Sequence, residues 1–157
     1  VTLTIDYRLT GSGWADCAIQ ADGRECKLSA SYLSDALGKL VLAATAVLAG
    51  AHSVSVGFDE EPGEYRWSVI CSDADEIQVS ILSFQYLWGN LPDADGKPML
   101  SFLCAPLDFG RAVRDAAEAV LKKHGLADYN KKWGHDFPSQ ELDLLQSYIV
   151  AWERNKR

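Results

Sequence analysis

Residues Leu33 to Ala51, LSDALGKLVLAATAVLAGA, carry charge only at Asp35 and Lys39. A helix this apolar on nearly all sides has to be covered on more than one face, by a sheet on one side and by other helices or a second subunit on the other. The stretch therefore belongs at the centre of a core. Ser31 or Ser34 is the expected N-cap, and Gly50 is where the helix should end. Its longest run without a charge or a large polar group, Leu40 to Ala51, is 12 residues, short of the roughly 20 needed to cross a bilayer. No membrane span or membrane partner is expected.

The stretch is also half of an internal echo. Ala21-Asp22-Gly23 returns as Ala94-Asp95-Gly96, and Ala43-Ala44-x-Ala46-Val47-Leu48 returns as Ala116-Ala117-x-Ala119-Val120-Leu121, both at an offset of 73. Around these anchors the strands read by alternation. Val1, Leu3, Ile5, Tyr7 and Leu9 give the first; 14–21 and 25–31 form a hairpin about Asp22-Gly23. After the apolar helix, Val54, Val56 and Phe58 alternate up to a turn at Glu61-Pro62-Gly63-Glu64. Tyr65, Trp67, Val69 and Cys71 share one face of the next strand. In the run 76–88, Ile77, Val79 and Ile81 are out of phase with Leu82, Phe84, Tyr86 and Trp88, so a bulge is expected at Ile81-Leu82. A strand at 99–105 and a helix from about Leu107 to His124 follow. Residues 126–137 read as a connection, and Pro138 opens a last helix with Leu142, Leu145, Ile149 and Trp152 inward.

The order βββα-β-βββαα predicts an α+β fold: an antiparallel sheet of about seven strands with three helices on one face. At 157 residues and 48% hydrophobic, with no Pro/Gly/Ser-rich linker, a single domain over 1–157 is expected. The echo suggests repeat halves at 1–51 and 64–125.

Charge is distributed unevenly. Residues 1–110 hold 15 acids against 6 bases, and residues 111–157 hold 7 against 9. Between Asp59 and Asp95 there are nine acids and one base, Arg66. Such a surface repels phosphate, which argues against direct nucleic-acid binding and favours a basic protein partner. The acids of two turns stand out: Asp59, Glu60, Glu61 and Glu64 in one, Asp93 and Asp95 in the other. In a meander those turns lie at the same end of the sheet and would make one acidic rim. Tyr86 and Trp88, at the end of the long strand, are candidate aromatic anchors beside it. Trp14 and Trp67 stand on strands that also carry polar side chains; as large rings they are expected to be mostly buried.

Chemistry-bearing motifs are few. Cys17, Cys26, Cys71 and Cys104 form no C-x-x-C pair and have no histidine cluster near them, so reduced, buried thiols are expected and a zinc site is not. Asp93-Ala94-Asp95-Gly96 begins like a calcium loop, but the twelfth position is Cys104, where a closing glutamate is needed. No cofactor and no metal are expected. His135-Asp136 beside Trp133 is the best acid/base candidate, without a nucleophile at a defined distance. These three residues mark an alternative reading, a small-molecule-binding protein or enzyme with its site between sheet and helices. The opening VTLTIDYRLT lacks the basic-then-apolar layout of a signal peptide, so a cytoplasmic protein is expected.

The run Phe58-Asp59-Glu60-Glu61-Pro62-Gly63-Glu64-Tyr65-Arg66-Trp67, with Phe84-x-x-Leu87-Trp88 and Phe137-Pro138-x-x-Glu141-Leu142, resembles small uncharacterised bacterial proteins. In its general make-up, small, acidic and α+β, the chain is similar to immunity proteins of bacterial toxin systems. The resemblance spans about 53–145, identifies no catalytic residues and points to a binding protein; read as an immunity-like inhibitor, the chain would take a basic protein such as a toxin as its partner. The acidic turns would then cover a basic site, such as that of a nuclease. Coverage of the 33–51 helix within the chain, and hence a monomer rather than a homodimer, is the favoured expectation.

Overall fold

A computed structural model describes residues 2–86 and 89–155. Its strands are β1 (Leu3–Gly11), β2 (Trp14–Ala21), β3 (Arg24–Ser31), β4 (Ser53–Asp59), β5 (Glu64–Cys71), β6 (Ile77–Phe84) and β7 (Lys97–Cys104). The helices are α1 (Ala36–Leu48), α2 (Pro106–Trp133) and α3 (Ser139–Asn155). The α+β class, the seven strands and the element order are those expected.

Hydrogen bonding divides the strands into two antiparallel sheets, β1-β2-β3 and β4-β5-β6-β7, rather than one. Hairpins force sequence neighbours into a ladder, but β3 and β4 are separated by α1, which leaves their pairing open. Side chains make the junction instead. Ser29 Oγ donates to Glu60 Oε1 at 2.7 Å, and Arg24 Nη2 donates to the Ser101 carbonyl at 2.7 Å.

Inward-facing residues of both sheets and residues of all three helices form one hydrophobic cluster. An aromatic chain crosses it from Tyr7 (β1) through Phe58 (β4) and Trp67 (β5) to Phe109 (α2), with ring centroids 6.3, 5.9 and 6.3 Å apart. Trp67 is fully buried, whereas Trp14 is partly exposed. The expected bulge is present, since the β6–β7 register shifts between Ile81 and Leu82. The extra residue is Met99 of β7, and Leu82 and Phe84 lie on the outer face with Gln78 and Ser80 by alternation along an unbroken β6. The same registers align Ser55, Ser68, Ser80 and Ser101 in one row across the outer face of the four-stranded sheet.

Helix α1 is covered as its composition demands, packing against α2, α3 and β4. Its N-cap differs from expectation. Asp35, not Ser31 or Ser34, accepts from the Gly38 amide at 3.2 Å, while both serines are buried without a hydrogen-bond partner among the described residues. Gly50 ends the helix at φ +96°. The Trp152 indole N–H then donates to the Leu48 carbonyl at 2.8 Å, tying α3 to the C-terminus of α1.

Residues 126–133 are helical, which corrects their reading as a connection. Gly125, at φ 73° and ψ 173°, breaks α2, and the helix resumes after it until Gly134 takes the left-handed conformation. The resumed segment buries Tyr129 and Trp133. The arginines of α2 reach α3: Arg111 bonds Glu153 of α3 at 3.0 Å, and Arg114 bonds Gln146 of α3 as well as its neighbour Asp115. Arginine is long enough to reach the adjacent helix, so tertiary contacts win over the weak i,i+4 pairs.

Candidate functional site

The two acidic turns meet at one end of the four-stranded sheet. Strand β4 ends at Asp59 and β5 begins at Glu64, paired directly with it. The turn between them is held by the Glu60 amide donating to the Gly63 carbonyl at 2.9 Å, and the Glu61-Pro62 peptide is cis. Gly63 lies so close to the end of β6 that an added Cβ would stand 2.5 Å from the Phe84 carbonyl oxygen. The connection from β6 to β7 returns over the same end, with Asp93–Asp95 forming a 3-10 turn.

Arg66 joins the two turns. Its guanidinium, only 12% exposed, sits 4.1 Å above the Phe84 ring. Nη1 donates to the Leu91 carbonyl at 2.7 Å and to Asp93 Oδ1 at 3.0 Å, and Nε donates to Glu64 Oε2 at 3.3 Å. These carboxylates raise the Arg66 pKa against the opposing effect of its burial.

The six acids thus have different surroundings. Glu64 and Asp93 neutralise Arg66. Glu60 accepts from Ser29 Oγ and stands near Tyr65, whose hydroxyl pKa is raised, first by burial and then by the Glu60 charge. Asp59, Glu61 and Asp95 make no ion pair among the described residues, and Glu61 and Asp95 are exposed. Tyr86 is 69% exposed, beyond the end of β6, and Leu91 is 42% exposed. Trp88 lies outside the described residues.

Sequence reasoning passed over Arg66 and Leu91. The signal for Arg66 was its position as the sole base among nine acids between Asp59 and Asp95. Nothing local marks Leu91.

No protein-family model matches the chain, and no curated protein matches it. Among solved structures it is similar to a chain of the "CdiA-CT/CdiI toxin and immunity complex from Enterobacter cloacae", at 14% identity and a TM-score of 0.49, over 73% of this chain and 100% of that one. A likeness of that degree carries nothing about function.

The alternative residues lie elsewhere. His135 and Asp136 line a concavity of about 580 Å³ with Asp35, Leu126, Phe137, Pro138 and the first turn of α3. No strand residue lines it, so it sits among helix ends rather than between sheet and helices. Trp133 is buried behind it, near His135. His135 Nε2 donates to the Tyr32 carbonyl at 2.9 Å, and Asn130 donates to Asp136 at 2.7 Å. Both polar groups therefore hold the corner between β3 and the end of α2. No His/Cys/Asp/Glu group among the described residues is arranged to hold a metal ion.

All four cysteines are free thiols, three buried and Cys71 half-buried. Burial raises each thiol pKa, that of Cys104 up to about 12. None has the electropositive setting that makes a reactive thiolate. No helix among the described residues is long and apolar enough to cross a membrane.

Proposed function

We propose that the chain is a protein-binding module of the toxin-immunity type, docking a basic protein through the acidic end of its four-stranded sheet. The observation that carries this reading is the convergence of the β4–β5 turn and the β6–β7 connection, which puts Glu61 and Asp95 at the same end as exposed Tyr86 and Leu91. Carboxylates at a rim speed encounter with a basic partner and reject acidic ones, nucleic acid among them. Exposed aromatic and aliphatic side chains supply anchors that slow dissociation. Trp88 would add to them. A basic protein such as a toxin is the partner class this reading takes. Coverage of α1 within the chain supports a monomer, and four unpaired thiols fit a reducing, cytoplasmic setting.

Affinity capture with the wild-type chain and with a Glu61→Lys/Asp95→Lys variant, run side by side on extract from the source organism, tests this reading. A basic protein retained by the first and lost by the second supports it. Equal retention by both removes the acidic end from the interface.

The concavity beside His135 and Asp136 favours a second reading, a small-molecule site. Thermal-shift screening of a metabolite panel tests it: a stabilising compound whose effect is lost in Asp136→Asn would support it, and no stabilising compound would count against it.

A further inference from the structure

We infer that Arg66 is the positioning residue of the acidic docking surface, dividing its carboxylates into a structural set and a recognition set. The inference rests on the protein-binding reading above. Glu64 and Asp93 are spent on the guanidinium, and Glu60 on Ser29. Asp59, Glu61 and Asp95 are left to meet a partner.

The geometry is that of a clamp. Strand β6 ends at Phe84 and β7 begins at Lys97. A connection of that length whose described residues hold only the three-residue 3-10 turn Asp93–Asp95 must be fixed by side chains if it is to present one shape. Two contacts fix its second half. Gly96 packs on the outward-turned Phe84 so closely that a Cβ would come within 2.7 Å of the ring. Arg66 stacks on that ring and donates to Leu91 and Asp93. A planar guanidinium serves all these partners at once, whereas the compact ammonium of lysine would serve fewer and stack poorly. Preorganisation of this kind strengthens docking by removing the ordering cost from the binding step.

Charge alone and positioning make opposite forecasts. Arg66→Met makes the surface one unit more negative, so attraction to a basic partner should strengthen if charge were all that mattered. If Arg66 positions the segment, binding weakens through faster dissociation.

The test has a partner-independent arm. The Asp95 and Gly96 amides are bonded within the 3-10 turn, to the Pro92 and Asp93 carbonyls at 3.0 Å. In Arg66→Met their hydrogen exchange should accelerate by roughly ten- to a hundredfold, the worth of a charge-assisted hydrogen bond, while the Val79 and Phe102 amides keep their rates. Arg66→Lys should not restore protection. Unchanged exchange at 95–96, equal acceleration in the core, or rescue by lysine would overturn the inference. Asp93→Asn, which keeps the shape and an acceptor oxygen but removes the charge from one arm of the clamp, should give a smaller local acceleration and serves if the methionine variant fails to fold. The second arm is dissociation of the captured basic protein from Arg66→Met, expected to be faster; equal or slower dissociation would overturn the positioning role. Failure to capture any basic protein would sink the functional reading, and the exchange arm would still decide the role of Arg66.

Discussion

Gly63 and Gly96 show how the acidic end is built at the level of single residues. Neither needs a left-handed backbone; both are glycine because Phe84 leaves no room for a Cβ. Gly63→Ala should therefore destabilise the protein by about 1–3 kcal/mol, the usual cost of overpacking, as read by urea denaturation. A neutral effect would mean that the turn does not pack on the end of β6. The sequence shows Gly63 and Gly96 as turn residues, but the contact that requires them is long-range and has no local signature. The echo between Asp22-Gly23 and Asp95-Gly96 conceals the same difference: the first pair sits at φ 52° and 78°, and Gly96 does not. The cysteines were more legible, because small apolar-like residues in alternating positions are buried whatever the partner strand. A thiol reagent should modify Cys71 first and Cys17, Cys26 and Cys104 slowly, with all four reacting quickly after denaturation. Fewer than four thiols after unfolding without reductant would reveal a disulfide.

At the scale of elements, periodicity located all seven strands and the three helices, together with the bulge at Ile81-Leu82. Two features escaped it. The N-cap fell to Asp35 rather than to a serine, because the Ser31 and Ser34 side chains are turned inward and buried while Tyr32 and Leu33 between them are exposed. Asp35→Ala should cost about 1 kcal/mol, the usual worth of a cap, measured by thermal or chemical unfolding. The helical segment after Gly125 was missed because LADYNKKW is short and polar. What stabilises it is tertiary burial of Tyr129 and Trp133, and the Tyr129 ring meets Phe137 edge-on at 5.3 Å. Its Asp128 accepts from His124 Nδ1 at 2.7 Å and pairs with Lys132 at 3.3 Å. The hydrogen bond from His124 chiefly, then Lys132, holds the Asp128 carboxyl below its ordinary value. A depressed carboxyl adds stability that is present above the unfolded pKa and lost as pH falls through the folded one. Asp128→Asn should accordingly lower the melting temperature at neutral pH, and the difference from wild type should shrink on acidification. A difference independent of pH would contradict this.

For the molecule as a whole, patterning along the chain announced the fold class but not its division into two sheets, because a helical crossover leaves the pairing of β3 with β4 open. The acidic end was legible as charge in two turns of a meander. Its organisation by Arg66 was not, since the side chain reaches Leu91 and Asp93, 25 and 27 residues away in sequence. Glu61 and Asp95 are exposed turn residues, so reversing their charge should change stability by no more than about 0.5 kcal/mol. Any loss of binding would then belong to the surface and not to the fold. The most direct measurement is the association rate of the captured basic protein with wild-type chain and with Glu61→Lys/Asp95→Lys, followed from low to high salt. An acidic docking surface predicts slower association for the variant at low salt and a shallower salt dependence. The same rate for both at low salt would show that these carboxylates are only a solvated surface.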